Sequence, residues 1–111
     1  MSFREKDKDE LREEALRPSL WLGYDRDSVA VHLVSREAYE IAESQLRRAI
    51  YLNPYERRFK RHLAWCLYKM GRYTEAKEWA EKALAQAPDA PDARRLLEVI
   101  ARRLDGRAPD I

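Results

Sequence analysis

Displaced by 34 residues, the chain matches itself at Tyr39 and Tyr73, Ala42 and Ala76, Ala49 and Ala83, Ile50 and Leu84, and Pro54 and Pro88. A fixed period of this length is the signature of stacked helix pairs. Each pair leaves an apolar stripe that only a neighbouring pair can cover, so the chain is expected to fold as a short solenoid whose product is a shaped surface.

The helical spacing within each period supports this. In the first unit Val29, Ala30, Leu33 and Val34 share a face, with Asp27 or Ser28 as the expected N-cap. Tyr39, Ala42, Leu46, Ala49 and Ile50 then recur at steps of three and four, after Ser35 as the expected cap and before the stop at Asn53-Pro54. The second unit repeats the plan with Phe59, Leu63, Ala64, Leu67 and Tyr68, a turn at Gly71, then Tyr73, Ala76, Ala80, Ala83 and Leu84, closed by Pro88. Pro91 opens one further helix carrying Leu96, Leu97, Val99, Ile100 and Leu104. Its Arg94, Arg95, Glu98, Arg102 and Arg103 are expected to face water. The organisation predicted is a charged N-terminal arm and linker over 1–23, a repeat domain over 24–104 (24–56, 57–90 and a capping helix 91–104) and a flexible tail over 105–111.

One hundred and eleven residues suit one domain with a modest core. No apolar run is long enough to cross a bilayer and no apolar signal core opens the chain, so a cytoplasmic protein without membrane insertion is expected. The single cysteine, Cys66, has no internal partner and reads as a small apolar residue. The formal charge of +2 is unevenly placed. Arg57, Arg58, Lys60, Arg61, Lys69 and Arg72 fall in a stretch without one acidic residue, whereas every other segment mixes signs.

The run from Leu67 to Ala76, followed by Ala83-Leu84 and Pro88, resembles a tetratricopeptide repeat. In that family small residues such as Ala64, Ala76 and Ala83 allow the two helices of a hairpin to approach closely. The first unit keeps Ala30, Tyr39, Ala42, Leu46, Ala49, Ile50 and Pro54 but has Glu37 where the second has Gly71. Arg26 and Lys60 stand where a large aromatic often opens such repeats. A looser similarity of architecture is to the cytosolic domain of mitochondrial fission proteins, which combine an arm, two such repeats and a capping helix. The resemblance implies an all-α, right-handed α-solenoid of antiparallel hairpins, non-catalytic and without cofactor, that binds another protein on its concave face.

The first helix of each hairpin lines that face in the family, which implies a partner-binding set of Tyr24, Val31, Val34, Arg58, Arg61, Trp65, Tyr68, Lys69, Arg95 and Arg102, with Asp27 and Val99 beside them. Trp65 is the expected anchor and the arginines its rim, so an acidic or amphipathic peptide is the expected ligand. The lysine and asparagine used by chaperone-binding members to clamp a terminal carboxylate are absent, since Asp27 and Val31 stand there. A different reading is self-association, in which the acidic arm (Asp7, Asp9, Glu10, Glu13, Glu14) covers the groove in its own chain or a neighbour's. Nucleic acid is disfavoured by the near-neutral whole, despite Arg57-Arg58-Phe59-Lys60-Arg61-His62. Catalysis is disfavoured because His62 and Cys66 offer only two metal ligands on one helical face, and no phosphate loop or nucleophile turn occurs.

Overall fold

The structure, a computed structural model, describes residues 23–106. The charged arm and most of the C-terminal tail named above lie outside the described residues. Five helices follow in order: α1 (Tyr24–Ser35), α2 (Tyr39–Leu52), α3 (Arg57–Lys69), α4 (Tyr73–Gln86) and α5 (Pro91–Leu104). Among the described residues there is no strand. Each helix packs on the next, and α3 additionally touches α1 on one side and α5 on the other. The chain is therefore an all-α solenoid in which α1, α3 and α5 form one row and α2 and α4 the second.

Alanines make the stacking possible. Ala30, Ala42, Ala49, Ala64, Ala76, Ala80 and Ala83 are at most 1% exposed, so helix backbones meet with little side chain between them. Phe59, Leu46, Leu63, Leu67 and Ile100 fill the space that remains, each contributing about 1.5–3 kcal/mol by leaving water. α5 presents Arg94, Arg95, Glu98, Arg102 and Arg103 to solvent.

Both hairpin turns are built alike. Ala38 N–H donates to Leu33 O over 2.9 Å and Arg72 N–H to Leu67 O over 2.9 Å, while Glu37 and Gly71 donate to Val34 O and Tyr68 O. These are Schellman closures, which need a left-handed residue at the penultimate donor. Gly71 takes φ 82° without cost, and Glu37 takes φ 63° at the equivalent place. Glutamate therefore does not alter the first turn; it adopts the strained conformation because the stacked helices over-determine it. The far ends match as well: Asn53 (φ −145°, ψ 80°) and Ala87 (φ −148°, ψ 79°) precede prolines and are extended for that reason.

Helix starts differ from the sequence expectation. α1 begins after Gly23, not at Asp27 or Ser28, and α2 begins after Ala38 instead of Ser35. The Ser35 hydroxyl donates to His32 O over 2.6 Å inside the last turn of α1, so the Schellman turn, not a serine cap, starts α2. Gly23 sits where a Cβ would come 2.8 Å from Phe59 Cε2 and 3.1 Å from Ala49 O, so only glycine fits there. Val29, placed on the core face by periodicity, is 52% exposed.

A polar lattice ties the hairpins together on the other side of the stack. Arg72 donates Nε and Nη2 to the two carboxylate oxygens of Glu75 over 2.8 and 2.9 Å, and Nη1 to Glu43 over 2.7 Å. Glu43 also accepts from Arg47 Nε over 2.9 Å. Arg47 and Lys82 both approach the Trp79 ring, at 5.8 and 4.2 Å from its centroid. Two residues of α2 are thereby joined to the first turn of α4.

The turn analysis predicts that Glu37→Gly raises stability by about 1 kcal/mol, by removing left-handed strain larger than the added chain entropy. Gly71→Ala is expected to lower it by a similar amount, since a Cβ there meets nothing within 4 Å and only the dihedral strain is felt. Denaturant midpoints of the two variants check both signs.

Candidate functional site: a tryptophan groove on the inner helix row

Two adjoining hollows run along the α1, α3 and α5 row. One, of about 340 Å³, is lined by Val31, Arg61, His62, Trp65, Asp92 and Leu96. The other, of about 410 Å³, shares Arg61, Trp65, Asp92 and Leu96 and extends past Tyr68, Lys69, Arg95 and Val99. Trp65, half-buried, belongs to both. Its position follows from helical phase: Leu63, Ala64 and Leu67 take the buried side of α3, and Trp65 and Tyr68 are left on the side facing the row.

Of the expected partner-binding residues, Val31, Arg61, Trp65, Tyr68, Lys69 and Arg95 line this continuous groove. Four do not. Val34 is 3% exposed and part of the core, a correction that follows from its packing beside Ala30 on the buried side of α1. The Tyr24 ring lies edge-on to Phe59 with centroids 5.1 Å apart, and its hydroxyl donates to the Glu56 carboxylate. Arg58 lies over the Tyr24 ring at 5.8 Å. Arg102 is exposed on α5 and does not line either hollow.

The basic stretch is similarly divided by the fold. Arg72 joins the lattice on the opposite side. Lys60 donates Nζ to Pro54 O over 2.8 Å and to Gln86 Oε1 over 2.6 Å, and burial, with Lys82 nearby, lowers its pKa. Arg61 reaches Asp92 at 3.5 Å across the groove mouth. The groove therefore retains three cations, Arg61, Lys69 and Arg95, against one acid, Asp92.

One groove contact has no sequence precedent. Asp27, 6% exposed, accepts from His62 Nδ1 over 2.6 Å, linking α1 to α3 beneath the hollow. Periodicity placed Asp27 on the concave face; the fold turns its carboxylate inward to His62, because a buried acid needs a donor. The partners stand 35 residues apart, so no local pattern could pair them. Asp92 and Leu96 were missed for the same reason, as they enter the site only through the docking of α5.

At the start of α3, burial opposes ionisation of Glu56, but the Tyr24 hydroxyl and the Arg58 backbone N–H outweigh it and hold its carboxyl below the ordinary value. The same hydrogen bond to Glu56 is the main cause that pushes the Tyr24 phenol up. Burial raises the Cys66 thiol to about 11, and its Sγ faces Tyr39 O at 3.4 Å, so it is a core group with little thiolate character. Among the described residues, no group of three or more His, Cys, Asp or Glu side chains could hold a metal ion, and no helix is long and apolar enough to cross a membrane.

Paired helices with a Gly71 or Glu37 turn, buried alanines at the repeat spacing and a fifth helix packed on the second hairpin define a helical-repeat protein of the hairpin-stacking class. The family profile described as Tetratricopeptide repeat matches residues 33–100, and the chain belongs to that family. No curated protein and no solved structure matched it.

His62→Ala is expected to destabilise the fold by about 1–3 kcal/mol, because Asp27 is left buried and unpaired, and Asp27→Ala in the same chain should restore part of the loss. Thermal melts of the three variants test this. Glu56 has a folded pKa below its ordinary value near 4.5, so its contribution is complete above that value and disappears as pH falls through the lower, folded one. Acid titration of Glu56→Gln should show a correspondingly flatter loss of stability below pH 4.5 than the parent.

Proposed function

We propose that the chain is a non-catalytic adaptor whose inner groove receives an acidic, partly apolar segment of another protein. Tetratricopeptide repeats are protein-interaction modules, and the groove's chemistry suits that role. The observation that carries the reading is Trp65, half-buried between two adjoining hollows and bordered by Arg61, Lys69 and Arg95. An indole in such a place offers a flat apolar seat, with Leu96 and Val99 opposite. The guanidinium groups of Arg61 and Arg95 match carboxylates in fork geometry, and Lys69 adds a point charge. An extended or helical segment with an aliphatic anchor flanked by aspartate or glutamate is complementary to both elements.

Among the described residues, Arg61 pairs with Asp92, whose side chain is 69% exposed. An incoming carboxylate exchanges for that contact at little cost, since exposed ion pairs contribute about 0–1 kcal/mol.

Peptide display on the immobilised full chain tests the reading. Selected sequences should be rich in Asp and Glu around an apolar anchor. Trp65→Ala should weaken their binding roughly 30-fold or more, the scale of an aromatic hot spot of about 2 kcal/mol, with an unchanged circular dichroism spectrum. Basic selected sequences, or undiminished binding by Trp65→Ala, would reject the groove.

A further inference from the structure

The 34-residue period supplies an internal control for the surface as well as for the core. On α2, Ile41, Ser44, Arg48 and Tyr51 follow one another at steps of three and four and share the outward side of the helix. Ile41 is 58% exposed and Tyr51 75%, and Tyr55, just beyond the helix, is 83% exposed. These are three of the five large hydrophobic residues left exposed among the described residues, so the outer side of the first hairpin holds most of that surface. One period later, on α4, the positions of the α2 stripe carry Glu75, Glu78, Lys82 and Ala85. The same fold therefore furnishes one outer face suited to water and one suited to a contact.

Charge along the α2 stripe is sorted by end. Glu40 stands in the first turn, next to Ile41, and Arg47 and Arg48 stand in the second half, one turn before Tyr51. Arg47 is bonded to Glu43. Arg48 instead lies over the Tyr51 ring at 5.1 Å from its centroid, and neither Arg48 nor Glu40 has an ion-pair partner among the described residues. Turned end for end, such a stripe complements itself. A second copy laid antiparallel, its α2 crossing at Ser44, brings its Glu40 beside Arg47 and Arg48 and its Ile41 beside Tyr51. Serine is small enough for the two backbones to approach at the crossing, as alanine is inside the fold. The same arrangement on α4 would set Glu78 against Glu78, so that helix is not self-complementary in this way.

We propose that the outer face of α2 is a self-association surface, through which two copies of the chain pair about a two-fold axis at Ser44. Because α2 belongs to the second row, this pairing leaves the groove on α1, α3 and α5 open in both copies. A single helix pair buries less than the standard interface of about 1,600 Å², so the dimer dissociates on dilution.

Sedimentation equilibrium of the full chain should show monomer and dimer in exchange. Giving α2 the residues that α4 has at the same positions, by Ile41→Glu, Ser44→Glu and Tyr51→Ala together, should raise the dissociation constant roughly 30-fold or more, the scale of losing one interface anchor. The circular dichroism should not change, since the same fold carries those residues one period on. Trp65→Ala should leave association as it is. The native Cys66 is buried, so Ser44→Cys supplies the reactive thiol, and under mild oxidation it should form a disulfide dimer faster than Glu78→Cys does. A chain that stays monomeric as concentration rises would overturn the proposal. So would equal cross-linking at the two positions, association that survives the triple replacement, or association abolished by Trp65→Ala, which would place the contact in the groove.

Discussion

Close approach of helix backbones across alanine is the constraint on which the rest of this molecule depends. With Ala30, Ala42, Ala49, Ala64, Ala76 and Ala83 all essentially inaccessible, larger residues at any of these places would force the helices apart in an interior that is packed as densely as a crystal. The same approach brings α1, α3 and α5 into one row, and the groove is the concavity of that row. Trp65 and Tyr68 face it because Leu63, Ala64 and Leu67 have already taken the opposite side of α3. Groove geometry is therefore first of all a consequence of hairpin packing.

Stacking also decides which charges remain available. A stretch that reads as six cations in a row of sixteen residues is dispersed by the helical period: Arg72 goes to the Glu43 and Glu75 lattice, Lys60 to the Pro54 carbonyl and Gln86, Arg58 to the Tyr24 ring, and Arg61 and Lys69 to the groove. Electrostatic character at the groove comes partly from α5, which contributes both Arg95 and Asp92. The buried Asp27 and His62 pair lies immediately below, so the hollow is floored by a satisfied polar contact as well as by apolar side chains. Such a pair costs desolvation and fixes the mutual orientation of α1 and α3 only as long as both members are present.

The fold was legible because its signals are local or strictly periodic. Gly71, Pro88 and Pro91 are punctuation whose effect is confined to their own turns, and the recurrence of Tyr39 with Tyr73 or Ala49 with Ala83 reports the period directly. Legibility failed where tertiary packing overrode local preference. Glu37 disfavours a left-handed turn, yet the two stacked hairpins hold it at φ 63°. Serine at position 35 has the chemistry of a helix cap and instead bonds within α1. Val29 has the phase of a core residue and lies exposed, since burial requires a neighbouring element as well as a hydrophobic face. In the site, Val31, Arg61, Trp65, Tyr68, Lys69 and Arg95 line one groove as their helical phase leads one to expect, whereas Val34 is buried in the core and Tyr24 lies outside the two hollows with its hydroxyl on Glu56.

By itself the amino-acid order determined the helix pairs, their spacing, the small residues at which they nest and membership in a class that works by presenting surface. These depend on interactions within a few residues or on a repeat that recurs at constant distance. Only the tertiary structure decided that Asp27 meets His62, that Arg72 turns away from the groove, and that α5 completes the site with Asp92, Arg95 and Leu96. Each of those outcomes joins residues from separate helices, and their meeting is set by the angle and depth of packing, for which no single segment carries the information.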